Sequence, residues 1–282
     1  MPLIAPPSDM NFVAILPALV VIVAALVVLI ADAFIPEDRQ SIAGWLALAG
    51  VLVTLAVCVT LAFVGGSMVA FSQSVTLDGF ALFFDVVSLI GAALAILISI
   101  NYLDREEINH GEYYVLLLFA VSGMMLLASS SDLIVFFLGF ETLSIALYVL
   151  AGFNRTRLDS QEAGMKYFLL GAFSFGFMLY GIALVYGATG ATSYAGIATM
   201  LQQQPAVAAG ALMGLGVALI ITGFGFKLAF VPFHLWTPDV YEGAPTPITA
   251  FMSVGTKAAV FAALVRLLTS ALPSMAGDWV PI

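Results

Sequence analysis

The sequence predicts an all-α polytopic membrane protein of about eight transmembrane helices, and three observations carry that reading. Of the 282 residues, 62% are hydrophobic and 9% charged, with a mean hydropathy of +1.12. Soluble domains average about 25% charged and 45–50% apolar residues, so no soluble core of this size buries so much apolar surface. The apolar residues also come in runs of about twenty, the length that crosses a bilayer as helix. Finally, the few arginines gather in alternate loops. A net charge of −9 without any basic cluster excludes a nucleic-acid surface and a polybasic lipid-binding tail.

Residues 1–9 read as a leader without the positive n-region of a signal peptide, and the run after them is long enough to be a retained span. Eight spans are expected at 11–34, 42–64, 79–103, 113–129, 133–153, 162–187, 206–231 and 246–268. The stretch 69–77 alternates apolar and polar residues, which predicts a short extended element outside the bilayer. Spans four and five are joined only by Ser129-Ser-Ser-Asp132, a tight turn with Asp132 placed to cap the next helix. The seventh span carries Gly210, Gly214, Gly216, Gly223 and Gly225 and is followed by Pro232, so it is the most breakable of the eight. Arg39, Arg105, Arg155 and Arg157 fall in the loops after spans one, three and five; basic loops face the cytoplasm, which puts the amino terminus outside. Arg266, near the end of span eight, runs weakly against that trend. Cys58 stands alone in a span, with neither a disulfide partner nor metal-ligand spacing.

Three ionisable residues lie inside these spans: Glu141, Lys227 and Lys257. A charge at the bilayer centre costs about 2.5–3.5 kcal/mol. Three cost roughly 8–10 kcal/mol, as much as a domain's whole stability of about 5–15 kcal/mol. Such charges persist when they face one another or water, and proton movement is the purpose they suggest. Ser144 and Tyr148 follow Glu141 at i+3 and i+7, putting carboxylate, hydroxyl and phenol on one helical face expected to point into the bundle. Thr249, Ser253 and Thr256 form a polar stripe leading to Lys257, which lies too deep to snorkel. Lys227 has two readings. On an unbroken helix it reaches the cytoplasmic interface; on a discontinuous one it lines a cavity at mid-membrane. Lys166 either anchors at the interface or extends a charged path toward Glu141. His234 is a titratable group beside the break or a structural hydrogen-bond partner. Asp85, in the third span, leaves the same choice open, and His110 is a loop residue. No phosphate loop, dinucleotide fingerprint or cysteine cluster is present.

The run from Gly225 through Pro232-Phe-His-Leu-Trp-Thr-Pro-Asp-Val-Tyr-Glu-Gly-Ala-Pro-Thr-Pro247, then Ser253-Val-Gly-Thr-Lys257, closely resembles the subunit N family of bacterial NADH–quinone oxidoreductase, respiratory complex I. Gly139-Phe-Glu-Thr-Leu-Ser144 fits as well. The resemblance implies a seventh helix interrupted at mid-membrane, Glu141 paired with Lys227, Lys257 as the central relay, and Lys166 where the family also has a lysine. It implies no metal and no redox step in this chain. NAD, FMN, iron–sulfur clusters and quinone would belong to other subunits, whose chemistry drives proton translocation here. Other membrane-arm subunits would be its partners, and the cell inner (plasma) membrane its location. Family members have about fourteen helices, including two five-helix repeats of inverted topology. Residues 10–111 would be three leading helices, 112–268 one repeat, and 269–282 a tail where a second repeat is expected to follow. The expectation is therefore a fragment or split form. A cation/proton antiporter subunit of the related multisubunit family is the alternative. A retinal pump on Lys257 and a non-conducting scaffold are further readings.

Overall fold

The computed structural model describes residues 10–36 and 39–280; the leader at 1–9 and the last two residues of the tail lie outside the described residues. Asn11 accepts a hydrogen bond from the Val13 N–H (3.1 Å) and opens a 3-10 turn, Phe12–Ile15, that runs into α1 (Leu16–Asp32). There follow α2 (Ser41–Val64), a hairpin of β1 (Met68–Ala70) and β2 (Val75–Leu77), α3 (Gly79–Arg105), α4 (Gly111–Ser129), α5 (Leu133–Ala151) and α6 (Leu158–Thr189). Next come α7 (Tyr194–Gln203), a single turn α8 (Pro205–Ala208), α9 (Ala211–Leu228) and α10 (Thr237–Gly243). The last span is composite: α11 (Thr246–Phe251), a π-helical turn (Met252–Thr256) and α12 (Lys257–Ser270), followed by a 3-10 turn (Pro273–Met275) and α13 (Ala276–Trp279). Among the described residues, eight helical stretches are long and apolar enough to cross a membrane, in the order expected.

Helix α4 is the central post, buried along most of its length and flanked by α1, α3, α5 and α12. The other spans keep one face for neighbours and turn Val, Leu, Ile and Phe outward, as lipid-facing helices do. Where helices touch most closely the contact is made by small residues. A Cβ on Gly181 of α6 would lie 2.6 Å from the carbonyl of Gly216 in α9, so only glycine lets these backbones meet.

The hairpin pairs Met68 with Leu77, Val69 with Thr76 and Ala70 with Val75. It is joined to two other connections. Ser131 N–H donates to the Ser74 carbonyl (2.9 Å), Leu133 N–H to that of Thr192 (2.9 Å) and Tyr194 N–H to that of Ser131 (2.9 Å). Asp132 caps α5 through the Ile134 N–H (2.7 Å), and its second oxygen accepts from the Thr192 hydroxyl (2.7 Å). This end of the bundle is called the hairpin end; the other carries Arg39, Arg105, Arg155 and Arg157.

Helix α6 is 32 residues long, about 48 Å, whereas α9 has 18 residues, about 27 Å. Helix α9 runs antiparallel along α6 from the level of Gly187 to that of Tyr167. There α9 ends, and after an irregular stretch α10 covers what remains of α6: a Cβ on Gly243 would lie 2.8 Å from that of Ala163. The expected span 206–231 is therefore shorter, with α8 standing apart from it. Helix α7 was not expected; it buries Tyr194, Ile197 and Leu201 along one face at the hairpin end.

Candidate functional site

The site is built around the end of α9. Ala229 takes a left-handed conformation (φ 59°), and the helix closes with Phe230 N–H on the Gly225 carbonyl (2.8 Å) and Ala229 N–H on that of Phe226 (3.1 Å). This is a Schellman closure made without the usual glycine. Two side chains from elsewhere finish the exposed carbonyl end. Trp236 donates its indole N–H to the Phe226 carbonyl (2.9 Å), and Lys257 donates from Nζ to the Lys227 carbonyl (3.0 Å). A cation at a helix C-terminus also meets the negative end of the helix dipole.

Two residues before Ala229 the Lys227 side chain turns inward and is 1% exposed. Its Nζ donates to the hydroxyl of Tyr167 (2.8 Å) and lies 4.7 Å from that ring's centre and 5.3 Å from that of Tyr148. The Tyr167 ring stacks on Trp236 (4.6 Å, 12°) and meets Tyr148 edge to face (4.7 Å, 88°). Lys257 in turn sits 5.4 Å from the centre of Trp236. Two amines thus share one aromatic box at the end of α9.

Glu141 comes from α5, and its charge and that of Lys227 act on each other through space. Among the ion pairs of the described residues none joins it to a lysine. Glu141 is partly exposed at the rim of the bundle, whereas Ser144 and Tyr148 on the same helix are buried. The expected face is therefore inward for the hydroxyl and phenol and marginal for the carboxylate. Gly171 of α6 makes room for the Tyr148 hydroxyl, which a Cβ there would strike. The Thr256 hydroxyl is buried without a protein partner, the kind of group that bridging water satisfies, while the buried hydroxyls of Ser144 and Tyr148 lie close enough to act on each other.

The remaining expected residues divide. Thr256 is buried beside Lys257; Ser253 is exposed and donates to the Ala250 carbonyl (2.8 Å), away from the box. Lys166 is exposed on a different side of α6 from its buried neighbour Tyr167. Its side chain is 40% exposed and bridges Glu162 (2.6 Å) and Asp239 (2.5 Å), tying α6 to α10. The structure does not bring Lys166 to the buried lysines. His234 lies in the irregular stretch with Nδ1 buried and unpartnered, and its main-chain oxygen accepts from Thr237 N–H (3.0 Å). Among the described residues no group of His, Cys, Asp and Glu is placed to hold a metal ion.

A second polar cluster lies at the hairpin end. Arg266, 7% exposed, donates Nε–H to the Ala128 carbonyl (2.8 Å) and grips Asp78 with both terminal nitrogens (3.0 and 2.7 Å). Asp78 also caps α3 by accepting from the Ala81 N–H (2.8 Å). Burial raises the Asp78 carboxyl, but the Arg266 and Ala81 hydrogen bonds and the guanidinium charge together hold it below the usual range. Two turns further in, Asp85 is buried with one oxygen unpartnered.

Comparison with known proteins was made on this geometry. A family model described as "NADH:quinone oxidoreductase/Mrp antiporter, TM" matches residues 130–282. NADH-quinone oxidoreductase subunit N of Trichlorobacter lovleyi is 51% identical over 272 residues, 96% of this chain and 55% of the relative. The subunit N of Chloroflexus aggregans is 48% identical over 280 residues, 98% of this chain and 56% of its own. Among solved structures, a chain of respiratory complex I from Thermus thermophilus with bound aureothin is similar with a TM-score of 0.72 at 35% identity, covering 89% of this chain and 52% of that one. A chain of the Mrp complex from Dietzia sp. has a TM-score of 0.78 at 20% identity, covering 95% and 50%, a likeness of fold. The chain spans little more than half the length of the curated relatives named here.

Proposed function

The chain belongs to the membrane family shared by NADH:quinone oxidoreductases and Mrp antiporters, and we propose that it is a proton-translocating subunit of an NADH–quinone oxidoreductase. In this reading it lies in the cell inner membrane with its amino terminus outside, beside the other membrane-arm subunits. NAD, FMN, iron–sulfur clusters and quinone reside in other subunits, and their redox chemistry drives protons through Glu141, Lys227 and Lys257.

One observation carries the reading: the Lys257 amine on the Lys227 carbonyl, at the place where α9 stops beside α6. A lysine buried in a span is expensive unless the backbone around it supplies partners. Here the interruption supplies a carbonyl, and the box supplies a phenol and aromatic faces. Neither partner is a carboxylate, so neither amine is locked in an ion pair, and each is free to give up and regain a proton. Glu141, at the rim and within electrostatic reach of Lys227, is the group that passes protons to and from them. The buried hydroxyls of Ser144, Tyr148 and Thr256 supply the polar groups between which water would bridge.

The test is to replace Glu141 and Lys257 with Ala in the intact complex and measure protons moved per NADH oxidised. Both variants are expected to lose coupled translocation while keeping electron entry; normal pumping in both overturns the reading. The matched family also includes antiporter subunits, which gives a second reading, a cation/proton antiporter subunit. The identity of 48–51% with subunit N relatives favours the oxidoreductase. Sodium-driven proton exchange in vesicles lacking NADH would favour the other.

A further inference from the structure

A buried titratable side chain in direct contact with the relay has no proton-carrying role in it. Tyr167 is fully buried, and its hydroxyl is the hydrogen-bond partner of Lys227 Nζ at 2.8 Å. Its ring has little freedom. Trp236 lies flat on one side (4.6 Å, 12°), Tyr148 stands edge-on (4.7 Å, 88°), and Trp236 is itself fixed by its bond to the Phe226 carbonyl. The phenol oxygen is therefore a stationary acceptor. Lys227, in contrast, carries its amine on a flexible four-carbon stem. The titratable or charged groups around the phenol are Lys227 from α9, Lys257 from α12, Tyr148 and Glu141 from α5, and Tyr241 from α10. Of these Glu141 alone competes for the amine as a carboxylate.

We propose that Tyr167 is a positioning residue for the relay: its hydroxyl parks Lys227 away from Glu141. This rests on the function proposed above and adds a residue to it. While parked, the amine has a neutral partner and exchanges its proton with the Lys257 side of the box. To exchange with Glu141 it must leave the phenol. The two contacts are mutually exclusive for one short reach of side chain, so Tyr167 sets how long Lys227 stays with each neighbour. Without the hydroxyl, the amine falls to the carboxylate and stays there as an ion pair.

The experiment uses Tyr167→Phe in the intact complex, with Lys227→Ala alongside, reading NADH oxidation, proton translocation per NADH and the pH profile of translocation. The phenylalanine keeps the stack on Trp236. Losing one hydrogen bond of ordinary strength predicts a roughly three- to tenfold drop in coupled translocation. It also predicts a profile displaced toward alkaline pH, because an amine on a carboxylate holds its proton more tightly. A lower amplitude with an unmoved profile makes Tyr167 merely structural and overturns the proposal. Wild-type translocation in Tyr167→Phe with loss in Lys227→Ala also overturns it and leaves the relay standing; normal translocation in both removes the relay itself. If the phenylalanine variant fails to assemble, fluorotyrosine at position 167 keeps ring and hydroxyl while making the phenol more acidic. A displaced profile then supports the proposal, and an unchanged one sinks it.

Discussion

The side-chain amine of Lys257 is hydrogen-bonded to the main-chain oxygen of Lys227, its fellow lysine, at 3.0 Å. The second lysine thus finishes the helix that carries the first, and in the proposed relay one contact serves both fold and proton path. Replacing Lys257 with Met keeps length and apolar bulk but removes the donor. The orphaned carbonyl is expected to cost about 1–3 kcal/mol. Loss of an acid–base group slows proton transfer by roughly a hundredfold or more. Denaturation in detergent and pumping in vesicles check the two effects separately.

Gly171 should tolerate no side chain. Alanine there meets the Tyr148 hydroxyl, and Tyr148 has Tyr167 against its other side. Overpacking of this kind costs about 1–3 kcal/mol. Gly171→Ala is expected to lower both thermal stability and coupled translocation, and adding Tyr148→Phe, which removes the struck oxygen but leaves two ring carbons in the way, should restore only part of the stability.

Arg266 holds three elements: the start of α3 through Asp78, the end of α4 through the Ala128 carbonyl, and its own α12. Removing one member of a buried pair costs about 3–5 kcal/mol. The Asp78 side chain is 28% exposed, which places Arg266→Met at the lower end of that range. A melting curve of the purified complex in nanodiscs tests it; a shift under two degrees would show the grip to be idle.

The same pair makes a pH prediction. The Asp78 carboxyl titrates lower in the folded chain than in the unfolded one. Its contribution is therefore complete above the unfolded value of about 3.9 and lost as pH falls through the lower folded value. Wild-type stability should fall below about pH 4 more steeply than that of Arg266→Met, in which the depression is gone. Parallel curves for the two proteins would refute the assignment.

Lys166→Gln is expected to change coupled translocation far less than Lys257→Met. Its amine faces solvent between Glu162 and Asp239 and does not reach the aromatic box. Equal loss of pumping in the two variants, with α10 still in place by cross-linking to α6, would return Lys166 to the relay.

Much of this arrangement is legible in the residues. The eight spans and the Asp132 cap follow from apolar run lengths and turn chemistry. What escaped has physical causes. Lys166 and Tyr167 are adjacent, and one step along a helix is about 100°, so the charge marked the right turn of α6 but the wrong side. Ser253 fell in with Thr256 and Lys257 under a regular helical period; the π-helical turn at Met252–Thr256 breaks that phase and leaves Ser253 outside. The end of α9 lacks the glycine that announces a Schellman closure, since Ala229 occupies that place. Arg266 looked like a weak exception to a charge rule because its partner, Asp78, is 188 residues away along the chain.

The backbone stitching at the hairpin end gives the two mouths of this bundle unequal freedom. Three separate connections are sewn there by main-chain bonds, with the Arg266 grip directly beneath. At the other end a short helix, α10, packs on α6 through Gly243 and one exposed ion pair, Lys166 with Asp239. Backbone amides at the sewn end are therefore expected to exchange with solvent more slowly than those around α10.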